Sequence, residues 1–532
     1  MSHSRRQPPF AAPQTACRPH TPTPSRRAVL RCFACAGLGL APLARAELAG
    51  EPITQLPALG DAGQGLLSPA VEQRLGERIM AELRRDPSYL RDVLLRDYLQ
   101  DIVDSLRKAA LASAEPEAPR HFEVFLLRDP TFNAFALPGG HIGVHTGMVV
   151  DAQARAQVAA VFAHEMSHIT QRHVEQRLAR AGADSALSIG SLVLGVLAAA
   201  GGSGQAAEGL IMGGQAAAMD RELRFSRNNE RDADRVGTSV LRASGYPPQA
   251  MASMLERLQS LSRLDDSDVY AFLQDHPLTS ERIADAEARG GNAPLPPDTT
   301  LSFWLMNARA RGLQPTRAQD LRRLARSMEQ PQPGRPERWP AQQAAWAYCA
   351  AMAWLGAGDL DQAEAALQRS KHLAGGFDAL QRVPLDLLQG DLLLAHHRDA
   401  EALALAQGLR KTAPDSRAVL HLQARALLAS PSTRTQARDF LREQTVLHPR
   451  DEQMWTWLAQ AYAACGQNAA QHRATAEAYA LDGNLEAALL QLHIAQRTPG
   501  ADYFEASIID ARLRALQQRL EQDKALDKML PK

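Results

Sequence analysis

Val161-Phe162-Ala163-His164-Glu165-Met166-Ser167-His168 is the stretch whose reading decides the fold. It contains H-E-x-x-H. Residues four apart are neighbours on one side of an α-helix, about one turn from each other. Two neutral imidazoles so placed can reach one zinc ion, and the intervening glutamate can reach a water on that ion. The flanks read as helix. Val158, Val161, Phe162 and Ile169 recur at helical intervals, Asp151 is the expected N-cap, and no proline or glycine interrupts residues 148 to 181. The competing reading is a surface helix that happens to carry two histidines, so the argument turns on a third ligand.

The extended metzincin pattern would need glycine at 171 and histidine at 174. The chain has Gln171 and Val174, which excludes that class. His173 is expected half a helical rotation from His164, facing away as an ordinary polar residue. Glu230 is the better third ligand. It lies on a polar helix expected over Arg221 to Gly237, with Asp234 one turn further on. A carboxylate from a second helix completes a His-His-Glu set with one position left for water. Asp234 can accept a hydrogen bond from a ligand imidazole and fix its tautomer. The plain alternative for Glu230 and Asp234 is a solvated acidic face.

Around this pair of helices the pattern is mainly helical with one small sheet. Residues 66 to 110 show helical periodicity, opened by Ser68-Pro69. Residues 121 to 147 alternate as strands, with a turn at Pro138-Gly139-Gly140. The edge of that sheet is either a platform for an extended peptide or a plain structural hairpin. Residues 186 to 218 are rich in glycine and alanine. They read as a mobile lid or, alternatively, as a tightly packed helical hairpin. After Asp275-His276-Pro277, Thr279 or Ser280 caps a further helix.

Prolines at 331, 333, 336 and 340 mark a linker over residues 329–340. Beyond it, residues 341–532 are helical and repetitive. Gly358-Asp359-Leu360-Asp361-Gln362-Ala363 matches Gly483-Asn484-Leu485-Glu486-Ala487-Ala488, and Pro414 and Pro449 lie about one tetratricopeptide period apart. Trp455, Leu458, Tyr462 and Gly466 fit the first helix of one repeat, and the copy beginning near Tyr479 shares a helix with it. Stacked helix pairs of this kind leave a groove for a partner protein or form a helical cap on the preceding domain.

At the other end, residues 1–46 read as a signal peptide. Arg26, Arg27 and Arg31 precede the apolar run Cys32 to Leu43, which is too short to span a membrane as a mature helix, and Ala44-Arg45-Ala46 offers a cleavage site. Ser25-Arg26-Arg27 leaves two routes open, twin-arginine or ordinary secretion. Cleavage removes seven arginines and no acid, leaving 52 basic and 59 acidic side chains. Neither that balance nor the zero net charge of the full chain has the basic excess of a nucleic-acid binder. Two of the five cysteines, Cys349 and Cys465, remain, either bridged or as two thiols, so this is no disulfide scaffold.

Four motifs in order carry a specific resemblance: Asn133-Ala134-Phe135-Ala136-Leu137-Pro138-Gly139-Gly140, His164 to His168, Asn229 to Asp234, and His276-Pro277. Together they resemble the zinc metallopeptidase family that includes HtpX and the CAAX prenyl protease. The signal and the repeats narrow the likeness to its BepA-like periplasmic members, over roughly residues 50 to 500; a twin-arginine signal would be a departure from that group. The resemblance implies a gluzincin-type α+β metalloprotease domain over 47–328, followed by an α-solenoid of tetratricopeptide repeats. It implies one zinc per chain on His164, His168 and Glu230, with Glu165 as general base. It implies a substrate strand beside Asn133 to Gly140. It implies unfolded or misassembled outer-membrane proteins as substrates and the barrel-assembly machinery as a partner, in the periplasm. His276 is the candidate donor to the oxyanion; a latency-enforcing fourth ligand and a purely structural residue are its alternatives. The competing function is a repeat-based chaperone or adaptor with a latent protease.

Overall fold

The structure, a computed structural model, describes residues 68–529 except 116, 175, 177–215, 264–272, 274–275, 292 and 331–339. The segment read as a signal peptide, nearly all of the glycine-rich segment 186–218 and most of the segment read as a proline-rich linker lie outside the described residues. The chain is mainly helical with one small sheet, as its periodicities predict.

Ser68 caps α1 (Pro69–Leu83), its hydroxyl accepting from the Val71 amide, and Asp92 caps α2 (Val93–Ala112) through Leu95. Between them lies the two-residue strand β1 (Tyr89–Leu90), too short to announce itself by alternation. Then come β2 (Glu123–Leu127), β3 (Ala134–Leu137), a 3-10 turn over Pro138–Gly140, and β4 (His141–His145). The sheet order is β1-β2-β4-β3, with β2 parallel to β4 and β3 antiparallel to it, so β3 is an edge. The period-two pattern serves two layers. Val124, Leu126, Ile142 and Val144 join the core shared with α2, whereas Phe125, Leu127 and Leu137 pack with Leu75, Ile79 and Leu83 of α1.

The motif helix is shorter than the sequence suggests. Asp151 is not its N-cap but the last residue of a separate helix, α3 (Thr146–Asp151). Asn307, far along the chain, ends α3 by donating to the carbonyls of Val149, Val150 and Ala152. Residues 152 and 154 are extended, and α4 (Arg155–Thr170) begins with the Arg155 amide held by Asp298 Oδ2 at 2.8 Å. Helix α4 is buried almost all round, between the sheet, α2, α5 (Ala216–Ala243) and α6 (Gln249–Arg263). Further on, the described residues form α7 (Ser280–Gly290), capped by Thr279, then α8 (Leu301–Gly312) and α9 (Ala318–Glu329).

Five antiparallel helix pairs complete the chain: α10 (Pro340–Gly356) with α11 (Leu360–Leu373), α12 (Ala379–Ala395) with α13 (Asp399–Thr412), α14 (Arg417–Ala429) with α15 (Arg434–Leu447), α16 (Glu452–Ala464) with α17 (Asn468–Leu481), and α18 (Leu485–Arg497) with α19 (Tyr503–Met529). Gly358 and Gly483 occupy equivalent left-handed turns, φ 82° and 76°, just before α11 and α18. Tyr479 lies on α17, the helix shared by the two overlapping sequence repeats. Cys349 is buried and Cys465 half-buried, with no disulfide between them.

The pairs curl back onto the first helices. Arg91 binds Glu452 at 2.6 Å and also Asp482; Arg84 donates to the Leu481 carbonyl; Arg417 reaches Asp97. Arg309 grips Asp92 with two bonds of 2.8 Å and donates to the Tyr348 hydroxyl at 2.6 Å. No helix among the described residues is long and apolar enough to cross a membrane.

Candidate metal centre

Helix α4 presents His164, Glu165 and His168 inward, all buried. Helix α5 brings Glu230 and Asp234 to them because of Gly237. A Cβ there would lie 3.2 Å from the backbone of Ala163, so glycine lets α5 approach α4 next to His164. His276 enters from the segment before α7.

The donor atoms converge. His164 Nε2 lies 3.1 Å from His168 Nε2, 3.3 Å from His276 Nδ1 and 3.4 Å from Glu230 Oε2. Glu230 Oε1 lies 3.4 Å from His168 Nε2 and 3.1 Å from His276 Nδ1. Ligands about 2.0–2.1 Å from a tetrahedral centre are separated by roughly 3.3 Å, so these spacings match those between ligands of one metal ion. The protons point the same way. Asp234 Oδ1 accepts from His164 Nδ1 at 3.0 Å, which leaves His164 Nε2 with a lone pair aimed at the other donors. Lone pairs crowded at such distances need a proton or a metal ion between them. His164, His168, Glu230 and His276 form a group able to hold a metal ion.

The same carboxylates pull charge onto His164: burial opposes it, but bonds to Asp234 and Glu230 outweigh burial and raise its pKa to about 10, so a metal ion at Nε2 displaces a proton. Burial pushes His168 well below the ordinary range. Glu230 is held well below the carboxylate range, because the surrounding imidazoles, His276 foremost, overcome the cost of burying it. Glu165 goes the other way. Among the described residues its oxygens have no hydrogen bond of ordinary geometry, and burial raises its pKa against the pull of His276, His164 and the nearby Ala136 amide. Raising a carboxyl's pKa makes it a stronger base, the direction a proton acceptor needs.

Two residues escape a reading of the sequence. Arg282, in the first turn of α7, is buried and binds Asp234 with bonds of 2.7 and 2.9 Å, Glu230 at 2.9 Å and the Pro277 carbonyl at 2.9 Å. Its signal was available: an arginine in a helix's first turn opposes the dipole and calls for a carboxylate partner. The second is His173, which does not face away. Helix α4 stops at Thr170, Arg172 takes a left-handed φ of 54°, and His173 turns back to lie buried with its Nδ1 3.1 Å from His168 Nδ1.

A buried H-E-x-x-H helix, a facing carboxylate and an unpartnered glutamate beside them define a metalloendopeptidase. Residues 95–290 match the profile of peptidase family M48. The chain is 30% identical to the beta-barrel assembly-enhancing protease of Escherichia coli over 482 residues, covering 89% of this chain and 93% of that one. It is 29% identical to the protein of the same name from Yersinia pestis over 470 residues, 87% and 92% of the two chains. It also matches the mitochondrial metalloendopeptidase OMA1 of Schizosaccharomyces pombe, 32% identical over 169 residues, 31% of this chain and 46% of that one. The chain belongs to peptidase family M48.

Proposed function

We propose that this chain is a zinc-dependent endopeptidase of the periplasm that degrades misfolded or stalled outer-membrane β-barrel proteins and assists their assembly. The observation that carries the chemistry is the closing of His164, His168 and Glu230 donors to 3.1–3.4 Å around one point, beside an unpartnered Glu165. The observation that carries the biology is near full-length similarity to relatives named for β-barrel assembly. The five helix pairs, read as tetratricopeptide repeats, present clients or meet the assembly machinery.

In this reading His164, His168 and Glu230 hold one zinc. Zinc bound there polarises the scissile carbonyl and acidifies a water. Asp234 holds His164 in the Nδ1-protonated tautomer, and Arg282 holds Asp234 and Glu230 in place. An extended client segment pairs with the open edge of β3, where the Ala136 amide faces Glu165. Glu165 takes the proton of the attacking water and delivers it to the leaving amine.

The position of His276 favours one of its alternatives. Its Nδ1 sits within the donor set, and its Nε2 is 3.7 Å from Glu165 Oε1. There it restrains the site as a fourth ligand, and activity requires it to swing out. His276→Ala then raises basal cleavage; a His276→Ala protein that keeps zinc but cannot cleave supports the oxyanion role instead. The function is tested by complementation of a null strain that accumulates an unassembled β-barrel protein. Wild type should clear it and Glu165→Gln should not. Full rescue by Glu165→Gln would replace proteolysis with the adaptor reading.

A further inference from the structure

The two histidines of α4 each turn one ring nitrogen inward, and each outer nitrogen needs a partner that fixes its tautomer. For His164 the partner is direct, the Asp234 carboxylate. For His168 no carboxylate is in that place. Its Nδ1 faces the Nδ1 of His173 at 3.1 Å, with ring centroids 4.9 Å apart and planes inclined at 77°. On the far side, His173 Nε2 is 3.8 Å from Asp232 Oδ2 on α5. Asp232 is held in turn by Arg235, whose Nε donates to its Oδ1 at 3.0 Å.

The geometry points to His173 as a positioning residue for His168, the middle member of a relay from Asp232 that parallels the direct contact from Asp234 to His164. One proton arrangement fits these contacts. His168 must keep its Nε2 lone pair for the donor cluster, so its proton is on Nδ1 and is donated to His173. His173 therefore accepts at Nδ1 and carries its own proton on Nε2, facing Asp232. The left-handed turn at Arg172 makes this possible, since continuing α4 would carry His173 to the opposite side. Helix α5 thus faces both α4 histidines with aspartates two residues apart, Asp234 by a direct hydrogen bond and Asp232 as a charge 3.8 Å behind His173.

This inference rests on the assignment of His164, His168 and Glu230 as metal ligands. It is tested in the full mature chain by zinc affinity, measured by competition with a chelator. His173→Ala should weaken zinc about 10- to 100-fold. His173→Phe keeps the ring without an acceptor and should lose affinity alike. Asn places its Oδ1 where Nδ1 stood, so His173→Asn should recover most of the loss. The Phe and Asn pair decides the matter even if the alanine variant does not fold. Equal affinity in wild type and His173→Phe, or equal loss in Phe and Asn variants, overturns the relay. A wild type that binds no zinc would instead overturn the metal-site assignment itself.

Discussion

Replacing Arg282 with methionine removes a buried guanidinium that pins both carboxylates of α5 at the site. Arg282 is 3% exposed, and its guanidinium makes two bonds to Asp234, one to Glu230 and one to the Pro277 carbonyl. Methionine fills much of the volume but leaves Asp234 buried with His164 as its remaining partner. Removing one member of a buried pair costs about 3–5 kcal/mol, because the charge left behind stays desolvated. Hydrogen exchange of the α4 amides reads this directly, since their slowest protons report the free energy of opening that unit. At about 1.4 kcal/mol per tenfold, exchange should accelerate by a factor of some hundreds to several thousands. The sign of the pH dependence also follows. Burial would raise Asp234, but bonds from His164 and Arg282 lower it below its unfolded value. Its contribution is therefore fully present above about pH 4 and is lost as pH falls through the folded value. The gap between wild type and Arg282→Met should be widest at neutral pH and narrow in acid. An acceleration below about tenfold at pH 7 would refute the reasoning.

Two further predictions test parts of the molecule away from the donors. A Cβ at Gly483 would lie 2.2 Å from Ala81 Cβ, whereas one at Gly358, in the equivalent turn, meets nothing within 4 Å. Gly358→Ala should cost only the left-handed strain, about 1 kcal/mol. Gly483→Ala adds about 1–3 kcal/mol of overpacking and loosens the docking of α17 and α18 on α1, read as faster proteolysis of the α17–α18 turn. Equal behaviour of the two variants would show that the helix pairs do not bear on α1. Burial holds His141 down to about 4 despite Glu123 nearby, and neither ring nitrogen has a hydrogen-bond partner among the described residues. An unfolded imidazole titrates near 6.5, so stability is unaffected by His141 above that pH and falls as pH drops toward 4, by about 3 kcal/mol. Melting of His141→Gln should depend less steeply on pH across that window than wild type.

The parts of this molecule that the sequence makes legible are local or periodic. His164, Glu165 and His168 are set by spacing on one helix, Glu230 and Asp234 by spacing on another, and the strands by alternation. The turns at Gly358 and Gly483 declare themselves by repetition. What stays hidden is the work of distant residues. Asp298 starts α4 and Asn307 ends α3 from far along the chain, which is why Asp151 reads as a cap when it is a helix end. Arg172 breaks α4 with an unusual φ that no composition signals, and so His173 is misplaced by helical extrapolation. Arg282 becomes meaningful only once α7 is folded against α5.

The central claim is tested most directly by measuring zinc content and peptide cleavage side by side in wild type and Glu165→Gln. Glu165 lies on the ligand helix but contributes none of the clustered donor atoms. The account predicts one zinc per chain in both proteins, cleavage by wild type, and a loss of cleavage of several orders of magnitude in Glu165→Gln. Zinc-dependent cleavage undiminished in Glu165→Gln, or wild type purified from zinc-containing buffer with no bound metal, would contradict it.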